Sequence, residues 1–221
     1  MADTNSWVPI MESFVYRLLA EEDLLQLGRL MEKIKPEIAG LSATSLYSSL
    51  CRDGLSNENV VIVVAQDHLR LVGFNITVID RKRYWRAFLL RHPVIGFRIV
   101  HHRFIEALRA KIKAGNPEAE IPEAIHAYIS PGSSTWSWQD SAPWIASIFI
   151  TAVDGQYRGK HISEGIGKYL LKVLAERGVR RVVSIVDPDN IPSIRLSHSL
   201  GFRIEKSESK LFISIDVDQR V

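Results

Sequence analysis

Val153-Asp-Gly-Gln-Tyr-Arg158-Gly-Lys-His-Ile-Ser163 separates two stretches of different periodicity. Upstream, Trp144–Val153 (WIASIFITAV) is dense in β-branched and aromatic residues and predicts a strand. Downstream, Ile162, Ile166, Leu170, Val173 and Leu174 recur at helical spacing. The quoted stretch is therefore a loop that opens a helix. The first N–H groups of a helix lack intrahelical acceptors and lie at the positive end of its dipole. A short loop with a glycine can wrap them around a phosphate. Arg158 and Lys160 add charge there.

The chain beyond repeats the alternation. Arg181–Asp187 (RVVSIVD) predicts a strand, Asp187-Pro-Asp-Asn190 a turn, and the next residues a helix that stops at Gly201. Phe202-Arg-Ile and Leu211–Val217 (LFISIDV) supply two final strands.

In this order and spacing the two motifs resemble those of the GNAT-type N-acetyltransferase superfamily. Its acetyl-CoA pyrophosphate loop reads Arg or Gln, two residues, Gly, one residue, Gly or Ala. Val153, Tyr157, Arg158 and Gly159 match that region, and Asn190, Ser193, Leu196, Leu200, Gly201 and Phe202 match the closing signature of the family. The resemblance covers Trp144–Val217. Aligned without a gap, His161 and Ser163 stand at the glycine positions. A register that used Gly165 and Gly167 instead would need four inserted residues, and the distance to Gly178-Val179 favours the ungapped one. Glycine in such a loop lets the backbone approach a ligand or adopt positive φ, which His tolerates better than most residues but less well than Gly.

The resemblance implies a direct transfer from acetyl-CoA, as acyl donor, to a primary amine. The backbone of Arg158, Gly159, Lys160, His161, Ile162 and Ser163 would hold the pyrophosphate, and the strand edge at Thr151, Ala152 and Val153 would pair with pantetheine. Asn190 and Ser193 would contact the cofactor from the closing signature, although Asn190 reads equally well as a helix cap. The family's Leu-Tyr pair, whose Tyr acts as general acid, is here Leu196-Ser197. Ser197 and His198 are the candidates by position. Serine is too short and too weakly acidic to be presumed equivalent, so His198, water or a residue from elsewhere protonates the departing thiolate, or the step needs no assistance because a thiolate leaves readily. The family's usual base falls at Ile145, which takes no proton, and Asp140 just upstream is the acidic candidate. His101 and His102 are adjacent and have no third ligand at suitable spacing, so no metal is expected.

From the N-terminus, Ser13–Leu19 reads as a strand, and Glu21-Glu22-Asp23 opens a helix through Leu24, Leu27, Leu30 and Ile34 that ends at Pro36. Ser42–Leu50 reads as a second helix, and Asp53-Gly54 as a loop. Val60–Ala65 and Leu69–Ile79 form a hairpin about a Gln66-Asp67-His68 turn. The order implies an α/β fold of GNAT type: residues 1–221 as one domain, a mixed, mostly antiparallel twisted sheet flanked by helices, and a helical insertion at 81–140 between the third and fourth strands.

That insertion opens with a basic block. Ten Lys and Arg residues stand between Arg81 and Lys113 against the single acid Glu106, interleaved with aromatic and aliphatic residues. Core packing by an amphipathic helical pair comes first among its readings, an anionic substrate such as a nucleotide-linked sugar second, and peripheral membrane contact through 81–113 third. Nucleic acid is not expected, since no recognised reading module accompanies the charge. Trp136, Trp138 and Trp144 either line an acceptor pocket or anchor the insertion. The acceptor is read as a small amine, an amino sugar or nucleotide-linked sugar among the options. A catalytically silent CoA-binding module and an acyltransferase for a protein or membrane-associated acceptor are the alternatives. Cys51 is the only cysteine, the N-terminus does not read as a signal peptide, and no apolar run is long enough to span a bilayer, so a cytoplasmic protein is expected. The oligomeric state stays open, a homodimer among the options.

Overall fold

Val60–Asp67 (β2) is buried at all of its first six positions, and Arg70–Ile79 (β3) at all but its first. A strand apolar on both faces must be covered on both faces, so this hairpin forms the middle of a layered structure. The computed structural model describes residues 14–34, 37–38, 41–95, 123–130, 141–207 and 210–217. Around the hairpin, Val15–Leu18 (β1), Ile145–Val153 (β4), Arg181–Val186 (β5), Arg203–Ser207 (β6) and Lys210–Asp216 (β7) complete a sheet. Its order is β1-β2-β3-β4-β5-β7-β6. Every neighbouring pair is antiparallel except β4 with β5.

The helices are Leu24–Ile34 (α1), Ala43–Ser56 (α2), Arg81–Arg91 (α3), Ile162–Glu176 (α4) and Ile191–Ser199 (α5). On one face, Leu27, Leu30 and Met31 of α1, Leu50 of α2 and Phe88 of α3 pack with Ile62, Val64, Phe74, Ile76 and Val78. On the other, Ile166, Leu170, Val173 and Leu174 of α4 pack with Val61, Val63, Val72, Ala146 and Val182. The strand period of two sends alternate residues to the two cores, and the phase changes at Val72, the extra residue of a bulge where Ala65 pairs with Gly73 and Gln66 with Leu71. Gly165 and Gly167 lie inside α4. A Cβ at Gly165 would stand 2.2 Å from the Tyr16 ring, and one at Gly167 2.5 Å from Leu200. These two glycines let helix and neighbours approach closely.

Three details differ from the sequence reading. Asp53-Gly54 belongs to α2 instead of a loop: a Cβ at Gly54 would lie 2.6 Å from Ile62 Cδ1, so this glycine serves helix–sheet contact. Asp53 is buried beside it and accepts hydrogen bonds from Tyr84 Oη at 3.2 Å and Arg91 Nη2 at 2.9 Å, which ties α2 to α3. The hairpin turn is His68-Leu69, with Asp67 paired to Arg70 and His68 at φ 51°. Finally, Glu37–Ile38 and Leu41–Ser42 form a small separate ladder that the sequence did not suggest.

Between β3 and β4, α3 stops at Arg91 just before Pro93, as that proline requires. It buries Tyr84 and Phe88 against the sheet and turns Lys82, Arg83 and Arg86 outward. Farther along the same connection, the short helix Glu123–His126 places Ile125 in the α4-side core. Ser130 then meets the outer side of β6: its N–H donates to Ile204 O at 2.8 Å, and its Oγ accepts from Ile204 N at 3.3 Å. Residues 96–122 and 131–140, and with them His101, His102, Trp136, Trp138, Asp140 and half of the Lys and Arg residues of the basic block, lie outside the described residues. Among the described residues no helix is long and apolar enough to cross a membrane.

Candidate functional site

β4 and β5 share only Ile145 with Arg181, Ala146 with Val182 and Ser147 with Val183. Beyond these the strands part. A bulge in β4 begins the separation: Ile150 pairs with Ile76 and Ile148 with Thr77, leaving Phe149 between them unpaired. Ser184 Oγ spans the first step of the gap by donating to Ile148 O at 3.3 Å. Past it, no described strand pairs with β4 on its β5 side. The opening is a cleft of about 300 Å³ between the two strands, α4 and α5.

The start of α4 borders this cleft. The loop leaves β4 through Asp154, which is 1% exposed and receives Lys33 Nζ at 2.8 and 2.9 Å and Arg70 Nη2 at 3.1 Å. The Lys33 hydrogen bonds chiefly, with the charge of Arg70, hold its carboxyl below the usual carboxylate range. Asp154 also accepts from Gln156 N at 3.2 Å and so shapes the turn Gly155–Tyr157. Tyr157 Oη donates to Asp67 at 2.9 Å, a bond that raises the tyrosine's pKa, and Lys160 sits over its ring at 5.4 Å.

Gly159 and His161 both have positive φ, 81° and 57°. Among the described residues no side chain caps α4: His161, at the capping position, makes no hydrogen bond to the first-turn amides. Its ring instead meets Glu164 at 3.2 Å, and Lys168 and then His161 keep that carboxyl below its ordinary range. The amides of the first turn are thus left for water or an anion. A β-branched residue is poorly suited to left-handed backbone. His161→Val is expected to lower stability by about 1–2 kcal/mol and His161→Gly to stay within about 0.5 kcal/mol of wild type in urea unfolding. Equal losses for the two variants would refute the strain argument.

Of the residues singled out from sequence, Thr151, Ser163, Asn190, Ser193 and Ser197 all line the cleft. Arg158, Gly159, Lys160 and His161 form the exposed turn leading to its α4 border. Ala152 and Val153 end β4, with Val153 in the core. The Ile162 side chain is buried, which leaves its backbone for any ligand. Asn190 Oδ1 accepts from Ser193 N at 3.3 Å, so it does cap α5, at the cleft edge. Ser197 Oγ donates to Ser193 O at 2.8 Å within its own helix. His198 is not brought to the cleft; it is exposed, with its ring edge-to-face with Tyr128 at 5.1 Å. Cys51 is buried, and desolvation pushes its thiol up to about 12, the reverse of an activated nucleophile.

Sequence reading missed three residues of the site. Asp154 stands inside the diagnostic loop, but its partners Lys33 and Arg70 are 121 and 84 positions away. Ser184 carried no signal on a β-branched strand. Asn75 did carry one, as a lone amide within the apolar run LRLVGFNITVI, and it lines the cleft.

Residues 124–202 match the model of the Acetyltransferase (GNAT) family. No curated protein matches the sequence. Among solved structures, the ribosomal-protein-S18-alanine N-acetyltransferase of Escherichia coli is similar at TM-score 0.54 and 13% identity, covering 93% of this chain and 94% of its own. The PaiA N-acetyltransferase of Thermoplasma acidophilum, solved in complex with coenzyme A, gives 0.52 and 14% over 92% and 99%. The YncA acetyltransferase of Salmonella typhimurium, solved with its cofactor acetyl-CoA, gives 0.54 and 11% over 95% and 96%. At these identities the likeness is one of fold.

Proposed function

We propose that this chain, which carries a GNAT acetyltransferase region at residues 124–202 within a GNAT fold, transfers the acetyl group of acetyl-CoA to a primary amine. The observation that carries this reading is the parting of β4 and β5 beside an uncapped helix start. The residues present fit the donor. Main-chain N–H groups from Arg158 to Ser163, with the Arg158 and Lys160 side chains, suit a diphosphate, and the unpartnered edge of β4 suits the amides of a pantetheine arm. Acetyl-CoA, when bound, supplies an acyl carbon activated by a thioester.

The chain's own part is orientation and hydrogen bonding. Backbone donors of β4 beyond Ser147 can stabilise negative charge on a carbonyl oxygen held in the gap. No described carboxylate or imidazole stands at the cleft in a position to act as base except Asp187, an exposed residue at its rim, so the amine is taken to arrive deprotonated. Ser197 keeps its proton engaged with Ser193, and a thiolate leaves readily, so protonation falls to water. Buried Cys51 argues against an acyl-enzyme.

The acceptor is a primary amine. A small one, such as the amino sugar of the sequence reading, competes with a protein amine, the kind the Escherichia coli relative acetylates. We place the reaction in the cytoplasm, with membrane contact through α3 as a variant that liposome flotation would detect. The inward-bonded Ser197 in place of the family's Tyr favours one rival reading, a CoA-binding module without transferase activity.

A thermal shift with acetyl-CoA, followed by thiol release over a panel of small amines and peptides, separates these readings. Mass action predicts a rise in Tm of the wild type by cofactor. Arg158→Ala combined with Gly159→Pro is expected to abolish it, because proline cannot adopt the φ of 81° found there. An undiminished shift in that variant would place the cofactor elsewhere. Stabilisation with no thiol release from any amine would identify the silent module.

A further inference from the structure

Three polar side chains lie in a row beneath the cleft. Thr77 Oγ1 donates to Asn75 Oδ1 at 2.7 Å, and Asn75 Nδ2 donates to Thr151 Oγ1 at 2.7 Å. Asn75 is 1% exposed and Thr77 is fully buried, on a strand whose other residues, Arg70 apart, are apolar or glycine. Asn75 and Thr151 are direct cross-strand partners, and both line the cleft. A buried amide is costly unless satisfied, and an apolar residue of similar size would fill this place in the core without that cost.

The direction of the chain suggests its use. Thr77 fills one acceptor position of the Asn75 carbonyl, which turns the amide nitrogen toward Thr151. Thr151 then accepts, so its own hydroxyl hydrogen is left to donate. Neither that hydrogen nor the second amide hydrogen of Asn75 is given to a described residue. The Thr151 hydroxyl thus stands as a donor at the cleft wall, on the strand that would lie alongside the pantetheine arm, between the splay point at Ser147 and the loop at Arg158, with Asn75 behind it on β3. Bonds in series polarise one another and strengthen the terminal donor.

We propose that Asn75 is a positioning residue that orients the Thr151 hydroxyl to bind an amide carbonyl of the pantetheine arm. This rests on the acetyl-CoA reading of the cleft and adds side-chain recognition to the backbone contacts of β4. The pair discriminates for a ligand with a peptide-like arm over one that has the diphosphate alone.

The test measures direct binding of CoA and of adenosine 5′-diphosphate, which lacks the arm, by titration calorimetry. Thr151→Val, nearly isosteric and at a half-buried position, is expected to weaken CoA about tenfold and leave the diphosphate unchanged, as loss of one hydrogen bond at a polarised donor would. Thr151→Ser should restore CoA binding to within about twofold of wild type, since it keeps the hydroxyl. Asn75→Leu should reproduce the CoA-selective loss and raise the KM for acetyl-CoA while leaving that for the acceptor unchanged.

CoA binding by Thr151→Val equal to wild type overturns the proposal, and so does a parallel loss of both ligands, which signals a structural role. If Asn75→Leu does not fold, the Val and Ser pair at Thr151 still decides. Wild-type protein that binds neither ligand overturns the cofactor reading itself, a result distinct from both.

Discussion

Leu170→Ala is expected to cost about 3 kcal/mol of folding free energy and to lower Tm by about 10 °C. Leu170 is 1% exposed and belongs to the core that joins α4 to the sheet, while also lining the cleft. Truncation removes buried methyl groups and leaves a cavity that helix and sheet can only partly collapse, since Gly165 already brings α4 against Tyr16 of β1 and Gly167 brings it against Leu200 at the end of α5. The same change slackens the helix whose first turn holds the candidate anion site, so stabilisation by acetyl-CoA should shrink with it. Denaturant and thermal unfolding measure the first effect. A loss below about 1 kcal/mol would mean that α4 is not held by this contact.

Asp154→Asn should destabilise the protein by about 1–2 kcal/mol at neutral pH. The carboxylate is buried, but Lys33 and Arg70 are 49% and 54% exposed, so solvent screens part of the attraction and the value lies below that of a fully buried pair. The sign of the pH dependence follows from the direction of the shift. The folded carboxyl has a pKa below that of an unfolded Asp, about 3.9. Its contribution is therefore complete above the unfolded value and lost as pH falls through the folded one. Wild type and Asp154→Asn should differ most above about pH 5 and converge in acid. Unfolding free energies measured from pH 7 downward test this. A gap that stays constant to the lowest pH would exclude the ion pairs as its source. Because Asp154 also shapes the turn before Arg158, the variant should bind acetyl-CoA more weakly at pH 7.

Much of this architecture was readable from the chain because its signals are local. The strand and helix periods on either side of the diagnostic loop, and the glycine stops at Gly178 and Gly201, act within a few residues. Gly165 and Gly167 lie inside α4, as the distance from the loop to Gly178 requires, and the helix begins at Ile162 with His161 in the left-handed region. Signals that depend on distant partners were not readable. Asp53-Gly54 has turn composition, yet Ile62 and Tyr84 make it helix. The bulge at Phe149 appears only in the register against β3, and the buried environment of Asp154 only once Lys33 and Arg70 arrive. His198 looked available beside Ser197, but adjacent residues on a helix point about 100° apart, and α5 turns Ser197 toward the cleft and His198 toward Tyr128.

The two hydrogen bonds between Ser130 and Ile204 bear on how this protein behaves when crowded or partly unfolded. An outermost strand is a template on which a strand from another molecule can be added, the first step of many aggregates. Here Ser130 occupies both the carbonyl and the amide of Ile204 from within the same chain. Intermolecular growth along that border must first displace it, so the connection between β3 and β4 also serves as a guard rail for the sheet. Shortening that connection in an engineered variant would expose the border and favour self-association.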